Sequence, residues 1–261
     1  MNCGRTVRDT PSTMALRPLV LLALLSVTSL GCGLAKKREC TAIIQQINED
    51  DEALKKVDFK EKDPRKLAAA VREAMGIESK VANDLDRATF KVAEVRQAGS
   101  DYSRFSRDLS TGLGELATRV DQVADLTDAA DATKPTSAVS KSTAAMNRFG
   151  DHCRLHPSGS CLRVATELKS MPKGKQDIDG YGVIFERVAK NIRAITVTDR
   201  ELAFIVDDMV RNLGIVAKTF HDLSDAQKKV QSSVAKIEAV VPREKPIVDA
   251  LNTFCGVAPK K

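Results

Sequence analysis

Thiol and imidazole groups gather in one short stretch of the chain. His152, Cys153, His156 and Cys161 lie within ten residues of one another and include two of the chain's three histidines. Thiolate sulfur and imidazole nitrogen are ligands that suit zinc and copper. The same cysteines flank the turn-rich segment 154–160, which can bring its two ends together for a disulfide bond. The spacing matches no zinc signature, so we predict the Cys153–Cys161 disulfide and keep a metal site with His152 and His156 as the alternative.

An acidic segment, 177–186, resembles the first part of an EF-hand calcium loop. Asp177 and Asp179 would supply oxygen ligands at its first and third positions. Val188 stands at the twelfth position, where such a loop needs a bidentate glutamate. We therefore predict a polar turn that caps a helix beginning at Val183, and we keep segment 177–186 as an alternative ligand-binding site.

The sequence contains none of the common catalytic motifs. It has no glycine-rich phosphate loop followed by Lys and Ser or Thr, no Gly-x-Ser-x-Gly elbow and no His-Glu-x-x-His pair. It also lacks the Cys-x-x-Cys-His motif that attaches haem. The third histidine, His221, follows Phe220 near a predicted helix end, where it would complement the helix dipole. We expect no catalysis and no cofactor.

Composition restricts the classes of partner. The chain has 41 Lys and Arg against 35 Asp and Glu, a formal net charge of +6, and the two signs are interleaved. Because no basic run forms a track for a phosphate backbone, we do not expect nucleic acid as a partner. Aromatic residues make up only 4% and Trp is absent, which disfavours a sugar-binding groove or a base-stacking surface.

The N-terminal region has the layout of a secretory signal peptide. Arg17 precedes an apolar run over residues 19–30, and small residues follow it. This run is too short to span a bilayer comfortably and is typical of the apolar part of a signal peptide. Residues 1–13 are polar, so we predict that translation begins at Met14.

The apolar run ends in the tetrapeptide 29–32, Ser-Leu-Gly-Cys. Small and apolar residues before a cysteine resemble the lipobox of bacterial lipoproteins. The resemblance implies removal of residues 1–31 and acylation of Cys32 on its thiol and its new amino group. The next residue is Gly33 rather than the aspartate that resembles an inner-membrane retention signal. The expected location is therefore the bacterial cell envelope, at the outer membrane facing the periplasm.

The lipidated cysteine and a short basic tether occupy residues 32–39. The seven residues between Cys32 and Cys40 span no more than about 28 Å when fully extended. Lys36, Lys37 and Arg38 would then lie at the level of the lipid headgroups and support the acyl anchor electrostatically. Membrane lipid is the first expected partner, and an envelope protein is the second.

Four cysteines remain once Cys3 and the lipidated Cys32 are set aside. An even number of cysteines in an exported protein indicates disulfide bonds, and four cysteines allow three pairings. If Cys153 pairs with Cys161, Cys40 is left to pair with Cys255. That second bond would bring the two ends of the mature chain together, along with the C-terminal Lys260 and Lys261.

Heptad spacing of apolar residues predicts helices through most of the mature chain. One series begins after Asp63-Pro64, which reads as an N-cap and first helical residue, and it continues to Gly99 with a single charged interruption, at Glu78. A capping box at 198–201 precedes a second series, and another at 224–227 predicts a separate later helix. The predicted seams are Leu67, Val71, Ala74, Val81, Leu85, Ala88, Val92 and Val95; Leu109, Leu113, Leu116, Val120 and Val123; and Leu202, Val206, Met209, Leu213, Val216, Phe220 and Leu223.

Narrow seams of this kind are typical of helices that pack as antiparallel bundles. We predict an all-α fold, an elongated antiparallel helical bundle with long heptad-patterned helices. Residues 40–261 would form one domain with a loop break at 149–182. The predicted function is that of a membrane-anchored lipoprotein with a structural or protein-interaction role. The alternative is a lipoprotein that binds a ligand or metal through the 151–161 loop or the 177–186 segment.

Overall fold

The computed structural model is all-α over the residues that it describes, which are 27–171 and 176–257, with side chains described from Gly33 onwards. The helices are α1 (Val27–Leu54), α2 (Pro64–Arg87), α3 (Ala93–Ala130), α4 (Ala138–Leu155), α5 (Gly159–Lys169), α6 (Ile178–Arg193), α7 (Arg200–Val240) and α8 (Glu244–Cys255), with a 3₁₀ turn (Val241–Arg243) between the last two. These described residues contain no β-strand. The prediction of an all-α helical bundle is confirmed. The predicted signal peptide lies mainly outside the described residues.

The chain folds into two compact units. Unit 1 combines the first part of the chain, up to Ala117, with the last part, from Ser233; unit 2 is the stretch 118–232 between them. We predicted one domain with a loop break at 149–182, and the structure differs on both points. Ser158 and Asp177 each cap a new helix inside that stretch, so most of it is helical.

Unit 1 is built on antiparallel helix pairs. Between α2 and α3, the hydroxyls of Ser79 and Ser110 lie 2.6 Å apart, and the Ser103 hydroxyl donates to Asp86 at 2.6 Å. The end of α7 runs beside α3 in the opposite direction, where Lys236 pairs with Glu115 at 2.8 Å. The apolar core of unit 1 is formed by Cys40, Ile43, Ile44, Ile47, Val57, Val71, Ala74, Val81, Leu85, Val95, Tyr102, Phe105, Leu109, Leu113, Ala117 and Leu251.

Helix α2 begins as predicted but ends earlier. Asp63 accepts hydrogen bonds from the first backbone N–H groups, and Pro64 is the first helical residue. The helix ends at Arg87 rather than continuing to Gly99. The carboxylate of Glu39 on α1 accepts the backbone N–H groups of Lys91 and Val92 at 3.0 and 2.9 Å, and these groups stand immediately before α3. A residue 52 positions away therefore caps the new helix.

Unit 2 packs α4, α5 and α6 against α7. The Arg148 guanidinium of α4 pairs with Asp208 of α7. On the opposite side, the rings of Phe185 and Phe220 stack with their centroids 5.9 Å apart. The apolar core of unit 2 is formed by Ala145, Phe149, Cys161, Val164, Val188, Ala189, Ile192, Leu202, Val206, Met209, Val210 and Leu213.

Helix α7 is continuous where two helices were predicted. Asp199 accepts the backbone N–H of Leu202 at 2.6 Å and so caps the start of α7, one residue after Thr198, the capping residue of the first predicted box. The second box does not act as one, because Ser224 lies inside α7 and is buried. A capping serine competes with helix continuation only where the chain turns. Here the neighbouring residues Leu223 and Ala226 are buried, so continued packing of the apolar face favours an uninterrupted helix.

Candidate functional site

The first and last helices of unit 1 are covalently joined. Cys40 on α1 and Cys255 at the end of α8 form a disulfide bond, with Cα atoms 5.8 Å apart and a sequence separation of 215. Nearby, the ammonium group of Lys36 lies 4.0 Å from the centre of the Phe254 ring, a cation–π contact. We call this group of contacts, together with the Glu39 hydrogen bonds described above, the terminal clamp.

Glu39 strengthens the terminal clamp electrostatically. Its hydrogen bonds from the backbone N–H groups of Val92 and Lys91 hold the pKa of its carboxyl below the usual value. The charged carboxylate is the form that these donors stabilise. The start of α1 is thus attached to α8 by a covalent bond and to the start of α3 by a charged cap.

The predicted basic tether is helical rather than extended. Residues 33–39 belong to α1, so Gly33 and Cys40 are separated by about 10 Å along the helix axis. Lys37 and Arg38 are exposed, as is Leu34 with 67% of its surface accessible. The side chain of Cys32, and residues Lys260 and Lys261, lie outside the described part of the structure.

The cysteines of the Cys/His cluster are bonded to each other. Cys153 and Cys161 form a disulfide with a Cα separation of 5.7 Å, so neither thiolate is available to a metal. The rings of His152 and His156 lie 5.1 Å apart. Within the described ranges, no group of three or more His, Cys, Asp or Glu side chains is arranged to hold a metal ion.

The calcium-like segment is the beginning of a helix. Asp177 is the N-cap of α6, and its carboxylate accepts the backbone N–H of Gly180 at 2.7 Å. The polar turn does cap a helix, but that helix begins at Ile178 instead of Val183. A calcium loop needs irregular backbone through its first positions, and here those positions are already helical.

His221 lies inside α7 and not at a helix end. Its Nδ1 atom is 3.3 Å from Asp179, and its Nε2 atom is 3.5 Å from Glu186, both on α6. The imidazole also lies directly over Gly182, where an added Cβ would come within 2.8 Å of the ring. Gly182 therefore allows the close approach of α6 to the histidine, which our dipole prediction did not foresee.

A groove of about 520 Å³ runs between α6 and α7 in unit 2. Its size falls within the usual range of about 300–1,000 Å³ for small-molecule sites. The lining residues are Glu186, Ala189, Lys190, Arg193, Val210, Gly214, Ala217, Lys218 and His221. Lys190 and Arg193 on α6 outnumber Glu186, the one carboxylate of the lining. Lys218 on α7 is paired with Asp222. The lining therefore favours an anionic ligand over a cationic one.

Two carboxyl groups are buried in the core of unit 1. Asp50 on α1 is 4% exposed and Glu78 on α2 is 1% exposed. Among the described residues, neither Oδ1 of Asp50 nor Oε2 of Glu78 has a hydrogen-bond partner. An ionised carboxylate without partners is strongly disfavoured in such surroundings. Burial therefore favours the protonated form of both carboxyl groups.

Burial raises the pKa of both carboxyl groups. The pKa of Glu78 rises to about 8, chiefly through desolvation and then through repulsion from Asp50, while the neighbouring Ser106 hydroxyl partly opposes the rise. The pKa of Asp50 rises to about 6, again chiefly through desolvation and then through the charge of Glu244. At neutral pH, Glu78 is therefore protonated and Asp50 is mostly ionised.

Tyr102 and Glu244 complete this cluster. Tyr102 on α3 is 1% exposed, and its hydroxyl donates to Oε1 of Glu244 at 3.1 Å. Burial raises the pKa of the Tyr102 phenol, so it stays a neutral donor. Glu244 is the first residue of α8, where a negative charge favours the helix dipole. We call Asp50, Glu78, Tyr102, Ser106 and Glu244 the acidic core.

Only one member of the acidic core is conspicuous in the heptad pattern of the sequence. Glu78 stood out as the charged interruption of a heptad series. The same signal is present in α1, where Asp50 follows Ile47 by three residues and precedes Leu54 by four. A carboxylate at a seam position of each helix was the available evidence that two charged groups would meet inside the bundle.

No protein family, curated protein or solved structure is significantly similar to this chain. The structure provides one further observation on membranes. Among the helices of the described residues, none is both long enough and apolar enough to cross a bilayer.

Proposed function

We propose that the protein is an exported bacterial lipoprotein, anchored in the cell envelope by acylated Cys32, whose helical body has a non-catalytic structural or protein-interaction role. The observation that carries this proposal is the terminal clamp, whose disulfide at Cys40 lies only eight residues after Cys32. A body attached by a lipid at its N-terminus needs a firm connection there, and the disulfide supplies one. The oxidised cysteine pairs suit an exported protein.

The surface beside the terminal clamp supports membrane attachment. Lys37 and Arg38 are exposed on the first turns of the mature helix, next to the exposed side chain of Leu34. Basic residues that contact anionic headgroups add electrostatic affinity to that of the acyl anchor. The outer membrane remains the proposed location.

Fractionation of cells that express single variants tests the anchor. Cys32→Ala should leave the protein as an uncleaved precursor or release it from membranes, because the variant lacks the thiol that carries the acyl anchor. Cys3→Ala is the matched control and should behave like the wild type. Recovery of Cys32→Ala as a cleaved, acylated membrane protein would contradict the proposal.

Exposed apolar side chains in unit 2 support the interaction role. Leu155, Leu162 and Phe204 are each about 70% exposed, at 69%, 70% and 72%. Leu155 and Leu162 lie close in sequence to the two cysteines of the short disulfide, which fixes the local backbone. A photo-crosslinking residue at position 162 should trap a discrete partner in intact cells, and Phe204→Ser should weaken the product. Equal labelling from exposed position 229 would speak against a specific surface.

The groove between α6 and α7 favours a second candidate, a ligand-binding lipoprotein. Native mass spectrometry of the mature protein, with thiol and metal counting, distinguishes the two candidates. The interaction role predicts two disulfides and no added mass beyond that of the acyl groups on Cys32. A retained anionic small molecule that is lost in Lys190→Glu would favour the ligand-binding role instead. Bound zinc with free thiols would favour the metal site of the 151–161 loop.

A further inference from the structure

Helix α1 is held to unit 1 by different means at its two ends. Its N-terminal half carries the terminal clamp, so a covalent bond at Cys40 fixes it to α8. Its C-terminal half is buried through Ile47, which is 8% exposed, and Val57 follows at 7%. Lys55, the residue after the end of α1, pairs with Asp51 of that helix at 2.6 Å, so this ion pair does not join α1 to a neighbouring helix.

The acidic core lies under this second half of α1. Asp50 is the point where α1 contributes a carboxyl group to the core, and α2, α3 and α8 supply the rest. The charged and titratable groups that act on Asp50 and Glu78 are Asp51 on α1, Lys80 on α2, Tyr102 and Ser106 on α3, and Glu244 on α8. Of these, Lys80 is the only cation, and its ammonium group is already paired with Asp84 at 2.8 Å.

We propose that the acidic core is a proton-operated latch, which docks residues 47–57 of α1 and its following turn when Asp50 and Glu78 are protonated and releases them when both protons are lost. Ionisation places two carboxylates together in an apolar seam beside Glu244. We assign the movement to α1 because Asp50 lies only four residues before the end of this helix, whereas Glu78 and Tyr102 lie in the interior of α2 and α3. The clamp at Cys40 keeps the rest of the helix in place, so residues near Cys40 act as the hinge.

The direction of the pH effect follows from the difference between the docked and released states. In the released state both carboxyl groups face water and titrate near their ordinary pKa of about 4. In the docked state their pKa values are about 6 and about 8. Between these limits the docked state holds more protons, so rising pH favours release by about tenfold per pH unit for each proton involved. Above the pKa of Glu78 in the docked state, a further rise in pH no longer changes the balance between the docked and released states.

Hydrogen exchange of the intact protein measures the latch directly. Amide exchange is followed by mass spectrometry at pH 6 and pH 8, and rates are corrected for the intrinsic pH dependence. Peptides covering residues 47–57 should exchange at least tenfold faster at pH 8. Peptides from residues 33–44, and those from unit 2, should keep the same corrected rate.

Two variants and a matched control complete the test. Glu78→Gln mimics the protonated side chain and cannot ionise, so it should slow exchange of residues 47–57 at pH 8 by at least tenfold. Glu73→Gln removes the same charge from the exposed face of α2 and should behave like the wild type. Asp50→Asn, on a different helix, gives an independent reading because it should remove part of the pH effect even where Glu78→Gln does not fold.

Three outcomes would overturn the latch. One is an unchanged corrected rate in residues 47–57 between the two pH values. Another is a pH effect in Glu78→Gln and Asp50→Asn as large as in the wild type. The third is equal acceleration of α1, α2, α3 and α8, since this shows loosening of all of unit 1. The experiment does not require acylation of Cys32, so it can succeed or fail independently of the proposed function.

Discussion

Replacing Cys40 and Cys255 by alanine should cost much more stability than replacing Cys153 and Cys161. The first pair is separated by 215 positions and the second by 8. A disulfide stabilises mainly by restricting the unfolded chain, and the loop-entropy relation gives about 5 kcal/mol for the long loop and about 2.5 kcal/mol for the short one. We therefore expect the two double variants to differ by about 2.5 kcal/mol in free energy of unfolding.

The magnitude holds even if the two units unfold separately. When unit 2 (118–232) stays folded, the flexible part of the long loop shrinks to about 100 residues, which still gives about 5 kcal/mol. The loss of packing is similar in the two variants. Each pair contains one buried cysteine, Cys40 with 2% exposure and Cys161 with 5%.

Urea unfolding, followed by far-UV circular dichroism, gives the free energies of the wild type and both double variants. Hydrogen exchange of peptides from each unit shows which of the two units loses stability in each variant. The variant without the long disulfide should lose protection in unit 1, whereas the variant without the short one should lose it in unit 2. Equal losses, or a larger loss for the short pair, would refute the argument from loop length.

Three further predictions concern single side chains. Leu213→Asp should lower the free energy of unfolding by about 3–5 kcal/mol, because it buries an unpaired charge at a fully buried position. Lys228→Asp, on the surface, should change the free energy of unfolding by less than about 0.5 kcal/mol. Thermal unfolding of the two variants and the wild type tests this difference. Gly182→Ala should destabilise the protein by about 1–3 kcal/mol, because the new methyl group meets the imidazole of His221. Gly214→Ala has open space around the new methyl group and should stabilise the protein by about 0.5–1 kcal/mol. Stabilisation by both substitutions would contradict the contact between Gly182 and His221. The free energy of unfolding of unit 1 should fall by about 1 kcal/mol per pH unit between pH 5 and pH 8. The reason is that the buried Glu78 carboxyl, with a pKa of about 8, keeps a proton that the unfolded chain has released. The urea midpoint at each pH measures this change, and a midpoint that rises with pH would contradict the prediction.

Helix existence and seam positions could be predicted because they depend on local spacing. Val71, Val81 and Leu85 on α2, like Leu202 and Leu213 on α7, occupy the predicted seams and are buried. The start of α2 was equally predictable, since Asp63 and Pro64 act within one turn of each other. Information of this kind lies within a few residues of the position that it determines.

The boundaries that failed depend on residues far apart in the chain. Between α2 and α3, the carboxylate of Glu39 accepts the backbone N–H groups of Lys91 and Val92, and no spacing rule connects these residues. The contact between Gly182 and His221 likewise joins two helices across 39 positions. Sequence periodicity does not contain such pairings, because they are created only when the helices pack.

The acidic core was partly visible in the sequence. A charged residue at a heptad position either ends the apolar seam or becomes buried within it. The spacing around Glu78 does not distinguish between these two outcomes. That Asp50 meets it depends on how α1 is set against α2, which is a tertiary property. Seam carboxylates on two helices of one bundle are therefore best considered together, as potential partners.

Unit 2 is inserted in the sequence between the two parts of unit 1. This insertion imposes an order on folding when the N-terminus of the chain appears first. Helix α1 appears first, but α8, to which it is bonded, appears last, so unit 1 cannot be completed until residue 255 is available. Unit 2 can form in the meantime. Cys153 and Cys161 then meet early, because closing a short loop loses little entropy. Their bond withdraws two competing thiols before Cys255 arrives, so the insertion itself protects Cys40 from joining the wrong partner.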